Sequence, residues 1–209
     1  MILKDQVGNF LTKLTEEPPS DRELRRAVAS QKPITRLFKD DGIVPNHPRW
    51  PLVIYRRAVK LRGHDPAALI DALFGMNNWD KSWRDGIYDF VHYHSQVHEV
   101  LGVARGEGRV EFGGVKGRIL ALKAGDVAIL PAGTGHRLIE SSRNFLVVGA
   151  YPPEGSYDEC TDTRDRGSAI KSIKLVRRPK SDPVYGKSGP LLSLWPSPAQ
   201  RKGRGSKTR

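Results

Sequence analysis

Seven short strand-like segments follow one another between residues 87 and 151, and this regular series constrains the fold more than any other feature. Each is five to eight residues long and is bounded by Gly, Pro, Asn or Asp, which favour turns. The segments are 87–94, 97–104, 109–114, 117–122, 126–130, 136–140 and 145–151. Gly113 and Gly114 fit a tight hairpin turn. Since no helical pattern separates the segments, the chain is predicted to be mainly β, as a sandwich or a barrel.

Two helical patterns occur near the start of the chain. Apolar residues recur at helical spacing over residues 2–14, and Pro18 follows as a stop signal. Ser20 and Glu23 then have the spacing of a capping box, in which each side chain bonds the backbone amide of the other. The sequence therefore predicts a second helix over 20–30.

A third helix is predicted over residues 66–76, because Asp65 is a good N-cap and Pro66 suits the first helical turn. Two more strands are predicted at 52–59 and 170–176. These patterns divide the chain into a helical extension (1–34), a β domain (35–196) and a basic tail (197–209).

The chain is basic, and part of its charge is local. The formal net charge is +12, and five positive charges lie among the last nine residues, between Arg201 and Arg209. A tail of charges with Gly, Ser and Thr cannot bury apolar surface and is predicted to be disordered. We therefore expect no nucleic-acid function beyond non-specific contacts of this tail.

Neither a disulfide framework nor a membrane anchor is expected. Cys160 is the single cysteine of the chain and has no partner for an intrachain disulfide. The first residues, MILKDQVGNF, lack the apolar stretch of a leader peptide, and no segment has membrane-spanning length. These features favour a soluble, cytoplasmic protein.

The candidate chemistry lies between residues 86 and 136. His92 and His94 are two positions apart on a predicted strand, so their side chains share a face. Glu99 follows on a predicted return strand, and His136 follows a Pro- and Gly-rich turn. Three imidazoles and a carboxylate suit one divalent transition metal ion, Fe, Mn, Ni, Co, Cu or Zn, with positions left open for a substrate.

Two stretches resemble the motifs of the cupin superfamily. Residues 86–106 fit the first motif, G-x5-H-x-H-x3,4-E-x6-G, and residues 125–136 fit the second, G-x5-P-x-G-x2-H. The second motif usually has Asn four positions after its histidine, where this chain has Glu140. The resemblance implies an RmlC-like jelly-roll β-barrel whose metal ligands are His92, His94, Glu99 and His136.

The resemblance narrows to the uncharacterised YjlB-type cupins. Stretches such as VPNHPRWPLVIYR, FLVVGAYPPEG and SDPVYGKSGPLLSLW carry it, and it runs from about Thr35 to Trp195. It implies a bound metal and a homodimer, and it implies no assigned reaction.

The third ligand is either Glu99 or its neighbour His98, and the run VLGVARG, which resembles the sequence that follows the liganding Glu in cupins, favours Glu99. The first motif allows three or four residues before the acidic position, so His98 competes with Glu99 as a ligand or lies behind the ligands. Adjacent strand residues point to opposite faces, so only one of the two can bind the metal. Tyr88 and Phe90 share parity with His92 and are candidates for lining a pocket.

Two functions are compatible with these residues. The first is a metal-dependent enzyme of the dioxygenase, isomerase or decarboxylase type that acts on a small organic molecule. The alternative is a non-catalytic small-molecule binding or sensory module. Ligands and fold do not identify a reaction, so no catalytic residue is predicted.

Overall fold

The computed structural model describes residues 18–62 and 65–197. The helices are α1 (Asp21–Ala27), α2 (Pro66–Met76), α3 (Arg166–Leu175) and α4 (Leu191–Leu194). The strands are β1 (Ile34–Arg36), β2 (Leu52–Tyr55), β3 (Asp80–Asp85), β4 (Glu99–Arg105), β5 (Glu107–Phe112), β6 (Arg118–Lys123), β7 (Val127–Leu130), β8 (His136–Ser141) and β9 (Leu146–Tyr151). The predicted helix over 2–14 and all but the first residue of the basic tail lie outside the described residues.

Two antiparallel sheets form the body of the fold. One has six strands in the order β1-β2-β7-β4-β9-β3, and the other has three in the order β6-β5-β8. An isolated bridge between His92 and His136 adds the preceding chain to the edge of the smaller sheet. Four paired segments then face the larger sheet, which is the two-sheet arrangement of a jelly roll. The predicted mainly-β cupin fold is confirmed, as two packed sheets.

Inner strands of the larger sheet are buried on both faces. Leu101 and Val103 of β4 face the smaller sheet and pack in the core between the two sheets. Val100 and Ala104 of the same strand face the opposite side, where α2 and the C-terminal segment cover them. Gly102 lies on that second face, and a Cβ there would lie 2.7 Å from Ile70 of α2. The missing side chain therefore lets α2 approach the strand closely.

The helix signals at two N-termini are confirmed. Ser20 accepts a hydrogen bond from the Glu23 amide while the Glu23 carboxylate accepts one from the Ser20 amide, which completes a capping box. Asp65 caps α2 through the amide of Ala68, and Pro66 is its first residue. The described helices include none that is long and apolar enough to cross a membrane.

The predicted strand at 170–176 is wrong, because this segment is part of helix α3. Ala169 and Ile173 are buried and four residues apart, which is the spacing of one helix face. They pack against Val44, Tyr93 and Ala132. The short segment IKSIKLV fits both periods, and contact with this apolar cluster selects the helix.

The predicted strand at 87–94 is also wrong as a regular strand. His92 bonds the backbone of His136, whereas Tyr93 bonds that of Cys160, so no single ladder forms. The edge strand β3 occurs just before it and was not predicted. Its sequence DKSWRD is polar and largely exposed, and therefore lacks the apolar alternation that marks a strand.

The C-terminal segment is fixed to the larger sheet by one buried carboxylate. Asp182 is fully buried and accepts hydrogen bonds from the Tyr55 hydroxyl, at 2.6 Å, and from three backbone amides. Farther along, Trp195 donates its indole N–H to the carbonyl of Pro51 and stacks on Trp50.

We expect Asp182→Ala to lower the free energy of unfolding by about 3 kcal/mol or more, because the Tyr55 hydroxyl and three amides lose their acceptor. Urea denaturation measures this difference. Asp89→Ala, at an exposed position, is the control and should leave the unfolding midpoint unchanged. Equal midpoints for the two variants would contradict the anchoring role of Asp182.

Candidate metal centre

The four predicted ligands come together between the two sheets. Glu99 is the first residue of β4 in the larger sheet, and His136 is the first residue of β8 in the smaller one. His92 is joined to His136 by a pair of backbone hydrogen bonds of 3.2 and 2.9 Å. Two positions on, His94 shares the face of His92. Packing of the two sheets therefore assembles the cluster.

The side-chain atoms are close and buried. The imidazole nitrogens of His92, His94 and His136 that could bind a metal all lie within 4.8 Å of one another. The Glu99 Oε2 atom lies 3.2 Å from His136 Nε2 and 3.5 Å from His94 Nε2. Each of the four side chains is at most 5% exposed. The cluster thus has the compactness of a single-ion site.

Each imidazole is oriented by a backbone carbonyl. The Nδ1 atom of His92 is 3.2 Å from the carbonyl oxygen of Phe90, and that of His136 is 3.3 Å from the carbonyl oxygen of Thr134. His94 Nδ1 bonds the carbonyl oxygen of Asp158. Because a carbonyl only accepts, Nδ1 is the donor in each ring, which leaves Nε2 as the atom that can bind a metal.

The centre leaves two buried polar atoms without hydrogen bonds, His94 Nε2 and Glu99 Oε2. Buried polar atoms are rarely left this way, since each costs free energy. Both atoms point at the other ligands, where a cation would satisfy them together. Imidazole nitrogens with one carboxylate oxygen suit a divalent transition metal, so these residues fit the expected ion.

The centre contains charges that a metal would rearrange. Burial, followed by the nearby His136, lowers the pKa of His92 to about 3. Burial alone would also lower the pKa of His94, but the Glu99 carboxylate outweighs it and raises that pKa to about 9. Burial opposes ionisation of Glu99, yet His94 and His136 hold its pKa well below the usual range. Without a metal, the His94 ring therefore carries a second proton, on Nε2, and is positively charged near neutral pH.

Asp158 supports the centre in a way that the sequence did not indicate. Its carboxylate accepts hydrogen bonds from the amides of Ser95 and Gln96 and from the Ser95 hydroxyl, at 2.6–3.0 Å. Its carbonyl orients His94. Asp158 thus joins the chain after His94 to the segment 152–165, and no motif marks it, since the contact spans more than sixty residues.

His98 points away from the cluster. It is fully buried, its Nδ1 accepts from the Ala132 amide at 2.9 Å, and its Nε2 donates to the carbonyl of Arg177 at 3.1 Å. Its ring packs against Trp50 and Trp195. Both ring nitrogens are occupied, so His98 has no lone pair to offer a metal, and Glu99 is the acidic neighbour that faces the cluster.

A cleft of about 420 Å³ opens over the centre. Its lining residues are Lys81, Trp83, Asp85, Gly86, Ile87, Tyr88, His92, His94, Glu99, His136, Tyr151 and Tyr157. Tyr88 is among them and is 52% exposed. Phe90 is not; it is 43% exposed and stacks on Tyr88, with 4.7 Å between the ring centroids.

Three other aromatic residues of the cleft were not predicted to line it. Trp83 lies directly over Gly149, where a Cβ would come within 2.0 Å of the indole, and its Nε1 donates to the Tyr151 hydroxyl at 3.0 Å. Tyr157 is half-exposed and its ring lies 5.1 Å from that of His94. These side chains come from β3, β9 and the segment 152–165, so no local pattern connects them.

Comparison with solved structures finds only matches of low sequence identity and low TM-score. An uncharacterised protein with a double-stranded β-helix domain from Klebsiella pneumoniae is 17% identical, over 70% of this chain and 98% of that one, with a TM-score of 0.32. Bacillus subtilis oxalate decarboxylase is 18% identical, over 54% of this chain and 28% of its own, with a TM-score of 0.33. The chain spans only 22% of a similar 11S globulin from Wrightia tinctoria, at 15% identity.

Sequence comparison gives a much closer relative. No model of a known protein family matches the chain. The uncharacterised protein YjlB of Bacillus subtilis (strain 168) is 42% identical over 162 residues, which cover 77% of this chain and 95% of the relative. Together with the two-sheet fold and the two cupin motifs, this similarity shows that the chain belongs to the YjlB-type cupins.

Proposed function

We propose that this protein is a metal-dependent enzyme that acts on a small organic molecule. It binds one divalent transition metal ion through His92, His94, Glu99 and His136. One observation carries the proposal: three buried imidazoles, each oriented by a backbone carbonyl, bring their nitrogens within 4.8 Å of one another. Two of them, His94 and His136, direct Nε2 toward a buried Glu99 oxygen that has no hydrogen bond. The cleft of about 420 Å³ that opens over these residues favours a catalytic ion over a structural one, because a catalytic metal needs a position open to the substrate.

The residues around the centre prepare it for chemistry. Glu99 would offset part of the charge of the metal ion. The buried histidines would shield the ion from bulk water on their side of the centre. Burial, followed by the nearby Glu99, raises the pKa of Tyr151, so that its hydroxyl stays protonated and can donate to an anionic atom. When bound, the metal would supply Lewis acidity toward a substrate oxygen, or electrons if it is redox-active. Dioxygenase, isomerase and decarboxylase reactions all fit this arrangement.

The size of the cleft favours a small substrate. A volume of about 420 Å³ lies within the range of small-molecule sites and is far below what a polymer would need. Trp83, Tyr88, Tyr151 and Tyr157 supply aromatic walls, while the metal ligands lie at the base.

We expect Glu99→Gln, and separately His94→Ala combined with His136→Ala, to lower metal affinity about tenfold or more, because the first removes the negative charge of a ligand and the second removes two imidazoles. Metal analysis of protein purified without chelators gives the stoichiometry, with one ion per chain expected for the wild type. Asp85→Asn is a matched control, since Asp85 lines the same cleft outside the ligand cluster. Undiminished metal in the double variant would overturn the site.

We expect Asp158→Ala to lower metal affinity about 10- to 100-fold, because residues that orient ligands have effects of this size. The carboxylate that anchors Ser95 and Gln96 is lost, so the carbonyl that orients His94 is no longer held in place. Competition with a chromogenic chelator measures the affinity. Asp162→Ala, in the same segment but exposed, is the control. Equal affinities for the two variants would exclude a positioning role.

Metal affinity is expected to rise with pH up to about pH 9. In the metal-free protein the pKa of His94 is about 9, so a metal must displace the proton from that ring. Below that pH the affinity should therefore increase by about tenfold per pH unit. Titration calorimetry in buffers of different ionisation enthalpy counts the released protons, and about one per ion is expected near pH 7. Affinity that does not change between pH 6 and pH 8 would contradict this assignment.

A further inference from the structure

The edge strand of the larger sheet carries an irregularity beside the cleft. Asp80 pairs with Tyr151 and Trp83 pairs with Gly149, so two residues of β3 oppose one residue of β9. This is a β-bulge, and its first residue is Lys81, which has a φ of +51°.

Glycine is the residue that such a position favours. A bulge whose first residue is left-handed usually has Gly there, because an L side chain at positive φ is strained. Lysine at Lys81 therefore bears a conformational cost that glycine would avoid. Bulges near active sites commonly redirect a side chain, and strain of this kind is retained where the side chain is used.

Lys81 is exposed and is one of the residues that line the cleft over the candidate metal centre. Among the described residues that line the cleft, it is the one Lys or Arg. It forms no ion pair with any residue that the structure describes. The acidic side chains of the cleft are engaged elsewhere: Asp85 accepts from the Gly86 amide at 2.7 Å, and Glu99 faces the histidines. Lys81 therefore offers an unneutralised positive charge to whatever occupies the cleft.

The charges of the cleft favour an anionic occupant. With neutral imidazoles, a divalent ion and Lys81 together outweigh Glu99 and Asp85 by one positive charge. A monoanion would neutralise the site. A single ammonium suits a carboxylate, whereas a phosphate group is generally bound by several charged donors or by a bidentate arginine, and the described residues of the lining include Lys81 and no arginine.

The walls of the cleft suit a flat apolar body. Trp83 is fixed by its close contact with Gly149 and by its hydrogen bond to Tyr151. Tyr88 and Tyr157 complete the aromatic lining toward the opening. Aromatic faces favour planar and unsaturated groups.

Resting on the proposed metal-dependent function, we propose that the substrate is a small organic acid whose carboxylate is bound by Lys81. Lys81 is then a specificity-determining residue. The bulge in β3 places its charge at the cleft, and the rest of the acid lies between the aromatic walls with an oxygen within reach of the metal centre.

The test compares charged and neutral probes of the same shape. Pyruvate, malonate and benzoate, each with its amide, are titrated calorimetrically into zinc-loaded and chelator-treated protein, with inorganic phosphate as a further arm. We expect the wild type to bind at least one carboxylate more tightly than its amide, and more tightly than phosphate. Lys81→Met should weaken carboxylate binding about tenfold or more and leave amide binding unchanged. Lys81→Arg should retain most of the affinity.

Lys123→Met, at an exposed position on β6, controls for a general loss of positive charge. Zinc stoichiometry is measured on every variant. A wild-type protein that binds no zinc would overturn the metal centre. The role of Lys81 is decided separately, by the difference in carboxylate affinity between the wild type and Lys81→Met, measured in the zinc-loaded or in the chelator-treated protein. Equal carboxylate affinities of those two proteins, no binding of any carboxylate by the wild type, or a preference for phosphate would overturn the inference.

Discussion

The geometry of the candidate metal centre depends on three hydrogen bonds from imidazole N–H groups to backbone carbonyls. The acceptors belong to Phe90, Thr134 and Asp158, which lie in three separate parts of the chain. The lone pairs of the histidines converge only where all three backbone segments are in position. The metal centre is consequently a product of the whole two-sheet fold, and no short fragment containing the first motif would reproduce it.

The beginning of β4 shows how the fold separates structure from chemistry. Glu99 faces the space between the sheets and meets the histidines there, while its neighbour His98 faces the other side. On that side His98 joins Trp50 and Trp195, and the carbonyl of Arg177, in the packing of the C-terminal segment. Because successive strand residues point to opposite faces, the adjacent residues His98 and Glu99 have unrelated roles. Glu99 faces the histidines of the candidate metal centre, and His98 packs against the C-terminal segment.

Sequence patterns predicted the elements whose signals are local. The cap at Asp65 and the apolar face of α2 lie within eleven residues, and the strands of the two motifs have clear turn boundaries. For the third ligand the sequence favours Glu99 but does not exclude His98. Motif spacing admits both residues, and only the surroundings of each side chain distinguish them.

The failures arise where tertiary contact overrides local pattern. Strand β3 is a polar edge strand, so it shows no alternation, yet it supplies both Trp83 and Lys81 to the cleft. The segment 170–176, most of which belongs to helix α3, has the pattern of a strand as well as that of a helix, because seven residues of mixed polarity fit both periods. Asp158 could not be found at all, since its importance comes from pairing with a segment more than sixty positions earlier.

The segment 152–165 connects the two halves of the site. Asp158 holds the turn that follows His94, and one position earlier Tyr157 forms part of the wall of the cleft. A molecule that presses on Tyr157 therefore acts on the same short piece of backbone that orients a metal ligand. With the metal-dependent function proposed above, binding in the cleft and binding of the ion would be thermodynamically linked. Such linkage is reciprocal: an occupant that orders this segment would raise the affinity for the ion by the same factor as the ion raises the affinity for the occupant.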